Sequence, residues 1–382
     1  MSAPQRLPRP APARVLACGA YLKNAACLLD GAEVAWSPQH GDLDAATARE
    51  ALAASIDALL ARSAGPVDAV AHDLHPDFPS TRLAIALARR LGVPAIPVQH
   101  HHAHVAAVQA ELGLQTPVIG LALDGVGLGD DGRAWGGEVL RVRAGAQAHR
   151  WRRVGHLRPL PLPGGDAAAR EPWRLVAAVL HEAGRGERIV PRLAPVVGAA
   201  AAGTIATMLE RGLNCPPTTS AGRWFDAAAG ALGLSVRQTA DAQAAVALER
   251  RARAGLDANP DLAPPACGLD PLPMVAALLE VDPADRIAVD RAAAGFHLAL
   301  ADGLAQAAIE AARGPSARTD AVGDVVTGGG CFANALLRAR IGERLRGAGL
   351  RMHAVDPRRC GDAGLALGQA WVAASAVAAG AC

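Results

Sequence analysis

Aromatic residues are scarce. One Tyr, four Phe and six Trp make up 3% of 382 residues, although 51% of the chain is hydrophobic. A core must therefore be built from Ala, Leu and Val, which suits small-residue helix packing over a sheet. Paired cysteines are missing as well: seven cysteines, with no C-x-x-C spacing, argue against a disulfide framework or a zinc ribbon and place the chain in a reducing, cytoplasmic setting. Charge of one sign is not concentrated. The 38 basic and 36 acidic residues leave a formal +2, so no nucleic-acid surface is indicated, and a small molecule or a protein is the favoured partner. No membrane segment is expected either. MSAPQRLPRPAPAR reads as neither signal peptide nor anchor, with residues 1–13 a disordered tail. The Ala- and Gly-rich run after Asp362 is too weakly apolar for a span and reads as a packed C-terminal helix.

Along the chain, VLACGA, AACLL and EVAW, broken by Leu22-Lys23-Asn24 and Asp30-Gly31, predict hairpin strands. A helix follows over 44–62, a strand over 69–72, a helix capped by Ser80, and a strand over 95–98. Residues 118–123 form a buried strand, and 171–255 are mostly helical in pattern. The segment 258–273 is the most linker-like in the interior. A helix near 290–313, a strand at 324–329, a helix at 332–346, a strand at 351–355 and a final helix complete a second α/β unit. The division predicted is an N-terminal α/β lobe over 14–155, a mainly helical insertion over 156–285, a C-terminal α/β lobe over 286–360, and a helix over 361–382 closing the cleft.

Chemistry concentrates between Val98 and Leu140. His100 and His104, at i and i+4, share one helix face and suit a metal ion; His101 with His104, at i and i+3, is the competing pair, and capping or core histidines are the plain alternative. Asp124 ends the buried strand and can add a hard oxygen ligand. Gly125, Gly127, Gly129 and Gly132, with Asp130 and Asp131, form either an ordinary hairpin turn or a loop whose amides approach phosphate. TGGGCFANALL over 327–337 reads as strand, Gly328-Gly329-Gly330, then helix. It offers free N–H groups and Asn334 to a nucleotide, or is simply a tight packing turn; it lacks both the P-loop lysine and the G-x-G-x-x-G spacing. Asp362 is a helix cap or a further metal carboxylate. Lys23 is a solvated turn residue or a cation beside phosphate. Ser220 caps a helix on which Asp226 is a surface acid or a ribose ligand.

VAHDLHPDFPSTR (70–82), VQHHHAH (98–104), LALDGVGLGDDGRAWGGE (121–138), LPGGDAAAREPWR (162–174), SAGRWFDA (220–227), GGGCFAN (328–334) and GDAGLALGQA (361–370) closely resemble, in the same order, the HypF family of hydrogenase-maturation carbamoyltransferases. The match covers only that family's C-terminal transferase module. It implies a two-lobed α/β fold of the actin, sugar-kinase and chaperone-ATPase type with a helical insertion. By the same resemblance His100, His104, Asp124 and Asp362 are metal ligands, and Asp226 contacts a ribose. Gly328, Gly329, Gly330 and Asn334 line the adenosine side, while Lys23, Asn24, Asp124, Gly125 and Gly127 face phosphate or the carbamoyl group.

The activity so implied is carbamoyl transfer from carbamoyladenylate, or carbamoyl phosphate, to the C-terminal cysteine of HypE in cyanide-ligand synthesis for the [NiFe] centre. Mixed His and Asp ligation suits Fe or Zn, with Mn a further option, better than Mg. The family's upstream acylphosphatase, zinc-motif and adenylate-forming domains have no counterpart here, so a separate protein is expected to supply carbamoyladenylate, unless carbamoyl phosphate is used directly. The family's Tyr-Glu-Gly-Gln reads Ala240-Asp241-Ala242-Gln243, and its GGVFQN reads GGCFAN, with Cys331 and Ala333. The alternatives are a hydrolase of carbamoyl phosphate or nucleotide, and a non-catalytic module that docks HypE. Cys382 is either a flexible end or a self-carbamoylation site.

Overall fold

The computed structural model describes residues 5–314, 322–354 and 360–381. Two sheets organise the chain. The first contains β1 (Gln5–Arg6), β2 (Val15–Ala17), β3 (Cys27–Asp30), β4 (Glu33–Trp36), β5 (Ala69–Asp73) and β6 (Ala95–Val98), in the order β1-β4-β3-β2-β5-β6. β2, β3 and β4 form the antiparallel meander that the Asp30-Gly31 turn predicts, and β5 and β6 join in parallel through α1 (Ala46–Ala61) and α2 (Pro79–Leu91). Leu52, Ile56 and Leu59 of α1, with Ala84, Leu87 and Ala88 of α2, cover one face.

The other face is covered by α3 (His100–Leu112) and, from the far end of the chain, by α13 (Leu365–Ala378). Ala103, Ala106, Ala107 and Ala110 meet the alanines of α13 there. The Ala-rich, aromatic-poor composition is thus realised as close helix-on-helix contact.

The second sheet has the order β10-β11-β8-β7-β12-β13, with β9 on β8. Its strands are β7 (Val118–Leu128), β8 (Ala134–Val142), β9 (Trp151–His156), β10 (Leu160–Pro161), β11 (Pro217–Thr218), β12 (Asp324–Gly328) and β13 (Arg351–Ala354). Helices α4 (Ala167–Arg170), α5 (Pro172–Glu182), α6 (Ile189–Val197), α7 (Ala199–Arg211), α8 (Ala221–Ala231), α9 (Gln243–Ala258), α10 (Leu272–Leu278), α11 (Arg286–Arg313) and α12 (Ala335–Gly347) belong to this lobe. α11 is long and apolar enough to cross a membrane by composition, but 67% of that window is buried. It packs on α9 and α12 as a core helix.

This is the two-lobed α/β architecture implied by the resemblance, with three corrections to the boundaries. Residues 5–13 are not a tail: Gln5 and Arg6 pair with Val34 and Glu33, and Leu7 is buried. The first lobe does not run to 155, because the 118–142 hairpin pairs with β12 of the second sheet and not with β6. The final helix is a layer of the first lobe. At a finer level, Phe78 precedes α2 without a side-chain cap, and Ser80 lies buried inside the helix. Val355, the predicted end of β13, and Cys382 lie outside the described residues.

α3 therefore lies between the lobes. Its alanines face the first sheet, while Val105 and Val108 pack against Val118, Ala122 and Val326 of the second. Every residue from His100 to Ala110 is buried, because the helix is packed against both lobes.

Candidate metal centre and the surrounding cleft

α3 opens sharply. The side chain of Gln99 caps it by accepting from His102 N–H at 2.8 Å, and the chain leaves it through left-handed Gly113. His100 and His104 then share a face, with their Nε2 atoms 3.2 Å apart. The β7–β8 ladder shifts register between Leu123 and Gly127, and this irregularity turns Asp124 toward the imidazoles. Its Oδ2 lies 3.0 Å from His104 Nε2 and 3.5 Å from His100 Nε2, while Oδ1 accepts from Gly125 N–H at 2.7 Å. Asp362, in the turn leading into α13, brings Oδ1 to 3.4 Å from His100 Nε2 and 3.7 Å from His104 Nε2. One donor atom from each of the four residues lies within 4.8 Å of the others.

This donor set fits a divalent cation. Two imidazole nitrogens that face each other at contact distance cannot both carry a proton without repulsion, and two carboxylate oxygens converge on the same point. A borderline ion such as Zn or Fe suits two nitrogens and two oxygens. The protonation balance agrees. Burial works against charge on His100, but Asp362, Asp124 and Asp73 outweigh it and raise its pKa well above the ordinary value. Burial opposes ionisation of Asp124, yet His100 and His104 hold it well below the usual range.

Behind His100 stands a residue that sequence reasoning missed. Asp73, fully buried at the end of β5, accepts His100 Nδ1–H through Oδ2 at 2.8 Å and His75 N–H through Oδ1 at 3.1 Å. A proton held on Nδ1 leaves the Nε2 lone pair facing the cluster, as ligand histidines need. Its position, last in the apolar strand AVAHD, was the available signal, because sites in α/β folds gather at the carboxyl ends of strands. The competing pair is ruled out. His101 accepts from Gln99 at 2.9 Å and His102 donates to Ala148 O at 2.8 Å, away from the cluster. Burial lowers both pKa values, that of His102 to about 4.

The other candidates divide. Lys23 stands at the mouth with its ammonium 2.8 Å from Asp241 Oδ2. That hydrogen bond raises its pKa against the cost of burial, with Asp362 and Asp124 adding to it. Asn24 does not face the cleft. It is fully buried, its Nδ2 donates to Cys18 O and Ala20 O, and its Oδ1 is paired with His40, so it shapes the loop that carries Lys23. Asn334 caps α12 by accepting from Leu337 N–H at 3.0 Å and donates to His297 at 3.0 Å, which leaves one amide hydrogen and one oxygen lone pair uncommitted. Asp226 is 1% exposed, with Gln238 at 3.1 Å and Arg223 at 2.8 Å, and burial raises its pKa. Its carboxylate is enclosed here, with Oδ1 accepting from Gln238 and Oδ2 ion-paired to Arg223.

The glycines serve the cluster more than a phosphate. A Cβ on Gly127 would fall 2.8 Å from the His100 ring, one on Gly328 2.9 Å from His104 Cβ, and one on Gly330 3.3 Å from Asp124 Oδ1. Gly329, at φ +99°, would clash with Leu123 O, and its N–H donates to Cys360 O at 2.7 Å, tying β12 to the segment that delivers Asp362. Gly125 has open space above it but lends its amide to Asp124. Ser220 caps α8, as its type predicts, and its Oγ also lies 2.8 Å from Asp124 O.

Comparison with known proteins agrees with this fold. Residues 10–111 match the family model of the HypF Kae1-like domain, and residues 120–369 match that of the carbamoyltransferase Kae1-like domain, second subdomain. A carbamoyltransferase HypF homolog from Cupriavidus necator is 56% identical over 95% of this chain and 92% of its own length. Carbamoyltransferase HypF2 of the same organism is 45% identical, and there the chain spans only 46% of the relative. The crystal structure of T.kodakarensis HypF superposes with a TM-score of 0.82 at 30% identity, covering 98% of this chain and 49% of that one. Full-length HypF in a phosphate- and nucleotide-bound form gives a TM-score of 0.79 at 27% identity, covering 97% and 47%. The chain belongs to the HypF family of carbamoyltransferases and corresponds to its Kae1-like module.

Proposed function

We propose that this module transfers a carbamoyl group, from carbamoyladenylate or carbamoyl phosphate, to the C-terminal cysteine of HypE on the route to the cyanide ligands of the [NiFe] centre. The observation that carries the reading is the convergence of His100, His104, Asp124 and Asp362 from three elements on one point, with Lys23 at the mouth of the cleft. An ion held by these four residues would supply Lewis-acid neutralisation of the phosphate leaving group. The protein's own groups do the rest. Asp73 fixes the His100 tautomer, the Gly127 and Gly328 positions let both imidazoles seat, and Lys23 meets the anion as it enters the cleft. No nucleophile from this chain is needed. The acceptor thiolate attacks the carbamoyl carbon, the bond to the phosphate oxygen breaks, and AMP or phosphate leaves with the electron pair.

The test supplies purified protein with labelled carbamoyl phosphate or preformed carbamoyladenylate and HypE, following label on the acceptor cysteine and phosphate release. Label on the cysteine is expected with at least one donor. Phosphate release with no label would identify a hydrolase, and neither outcome would leave a docking module. Metal analysis of the same preparation should find one Zn, Fe or Mn per chain.

A further inference from the structure

Lys23 and Asp241 are 218 positions apart, and they come from opposite lobes: Lys23 from the loop between β2 and β3, Asp241 from the loop between α8 and α9. Their 2.8 Å ion pair therefore bridges the cleft mouth. Each end is built with some strain. Lys23 has φ 45° and Ala242, next to Asp241, has φ 57°, a backbone region that L residues seldom occupy unless the surroundings hold them there. On the Lys23 side the holding is visible, since its N–H donates to Asp42 Oδ1 at 2.9 Å and the buried Asn24 beside it makes three side-chain bonds. The loop that carries the ammonium is thus held in place, and Lys23 lies within the electrostatic reach of Asp124 and Asp362.

We infer that Asp241 is a positioning residue that stands in for the substrate anion: it occupies Lys23 while the cleft is empty and is displaced when a phosphate group arrives. This rests on the proposed reading that the phosphate of the donor lies over the four-residue cluster. The magnitudes suit exchange. Both side chains are more than half exposed, and a pair so placed is weak and screened by solvent, whereas a phosphate is a doubly charged competitor for the same ammonium. A tighter pair would hold the lobes shut against substrate.

Calorimetric titration of the full chain with inorganic phosphate, after its metal content has been measured, tests the exchange in wild type, D241N, D241E, K23A and K23A/D241N. D241N should bind phosphate about two- to fivefold more tightly than wild type, the range an exposed ion pair can compete away. D241E should restore wild-type affinity, and D241N should change nothing in the K23A background. Weaker binding by D241N would make Asp241 a support for Lys23 and overturn the displacement. An equal gain in the K23A background would also overturn it, by showing only the loss of a negative charge. If wild type binds phosphate and D241N matches it, the inference fails alone; if wild type binds none, the anion site itself fails and the inference with it. Melting curves check that each variant is folded.

Discussion

Asp73→Asn tests the construction of the metal centre with the smallest change in shape. Both carboxylate oxygens act as acceptors, one for His100 Nδ1–H and one for His75 N–H. Asparagine has a single acceptor oxygen. If it serves His75, the amide N–H₂ faces His100 Nδ1 and drives the ring proton to Nε2, where it blocks ligation. If it serves His100, the N–H₂ meets the His75 N–H donor to donor in a buried site. Either way one contact is lost, and loss of such a supporting partner typically weakens metal binding about 10- to 100-fold, or about 1.4–2.7 kcal/mol. Metal affinity of wild type and variant, measured by competition with a chromophoric chelator, reads this directly. Nitrogen NMR of the imidazoles reports the tautomer in metal-free protein at alkaline pH, where His100 has shed the extra proton that its carboxylate neighbours favour. Metal affinity within threefold of wild type, with the proton still on Nδ1, would refute the argument.

His100→Ala and Asp362→Asn should each abolish bound metal in elemental analysis, whereas His101→Gln should keep it; retention after His100→Ala would show that the ligand assignment is wrong. Gly127→Ala should lower metal affinity while leaving the circular dichroism spectrum unchanged, because its methyl group must displace the His100 or His101 ring. Asn334→Ala removes the α12 cap and takes the partner from His297 Nε2 while Nδ1 keeps its bond to Ala293 O, which should cost about 1–2 kcal/mol in urea unfolding. Asp324 gives a pH signature. Its pKa is held down to about 2 by the Arg351 guanidinium, against burial and with His353 assisting. A carboxylate depressed on folding stabilises above its unfolded pKa of about 3.9 and loses that contribution as pH falls toward its folded value. Stability should drop by roughly 1 kcal/mol between pH 4 and 2, after allowance for the solvent around Arg351, and Arg351→Ala should flatten that part of the curve.

Spacing made His104, its two possible partners His100 and His101, and Asp124 at the end of an apolar strand readable as candidates, whereas the choice of His100 and the addition of Asp362 came from the family resemblance. The strands of the first sheet were readable from their apolar patterns, except β1, which lies in the Pro-rich stretch that reads as a tail. Allegiance was not: the 118–142 hairpin carries an ordinary buried-strand pattern, and only the pairing of Val118 with Asp324 decides which sheet it joins. Nor could composition show that Asn24 and Asn334 bond backbone groups and histidines of the fold, since an asparagine that closes a loop looks the same as one that greets a ligand. Asp73 was hidden because its value lies in the tautomer of a ring 27 positions away. Gly127, Gly328 and Gly330 resembled an anion cradle, but the small volume they provide is filled mainly by the protein's own ligands.

The location of α13 sets an order in time. The first lobe is synthesised early, yet one face of its sheet and one face of α3 are covered by a helix that begins at Leu365. Until that helix emerges, a patch of alanine, valine and leucine stays open, and Asp362 is still missing from the ligand set. A nascent chain can thus hold neither the finished layer nor the complete metal site, and any ion captured by His100 and His104 during synthesis would be loosely held. An ion ligated by all four residues would therefore be held only once Asp362 has emerged and both lobes exist to close around it.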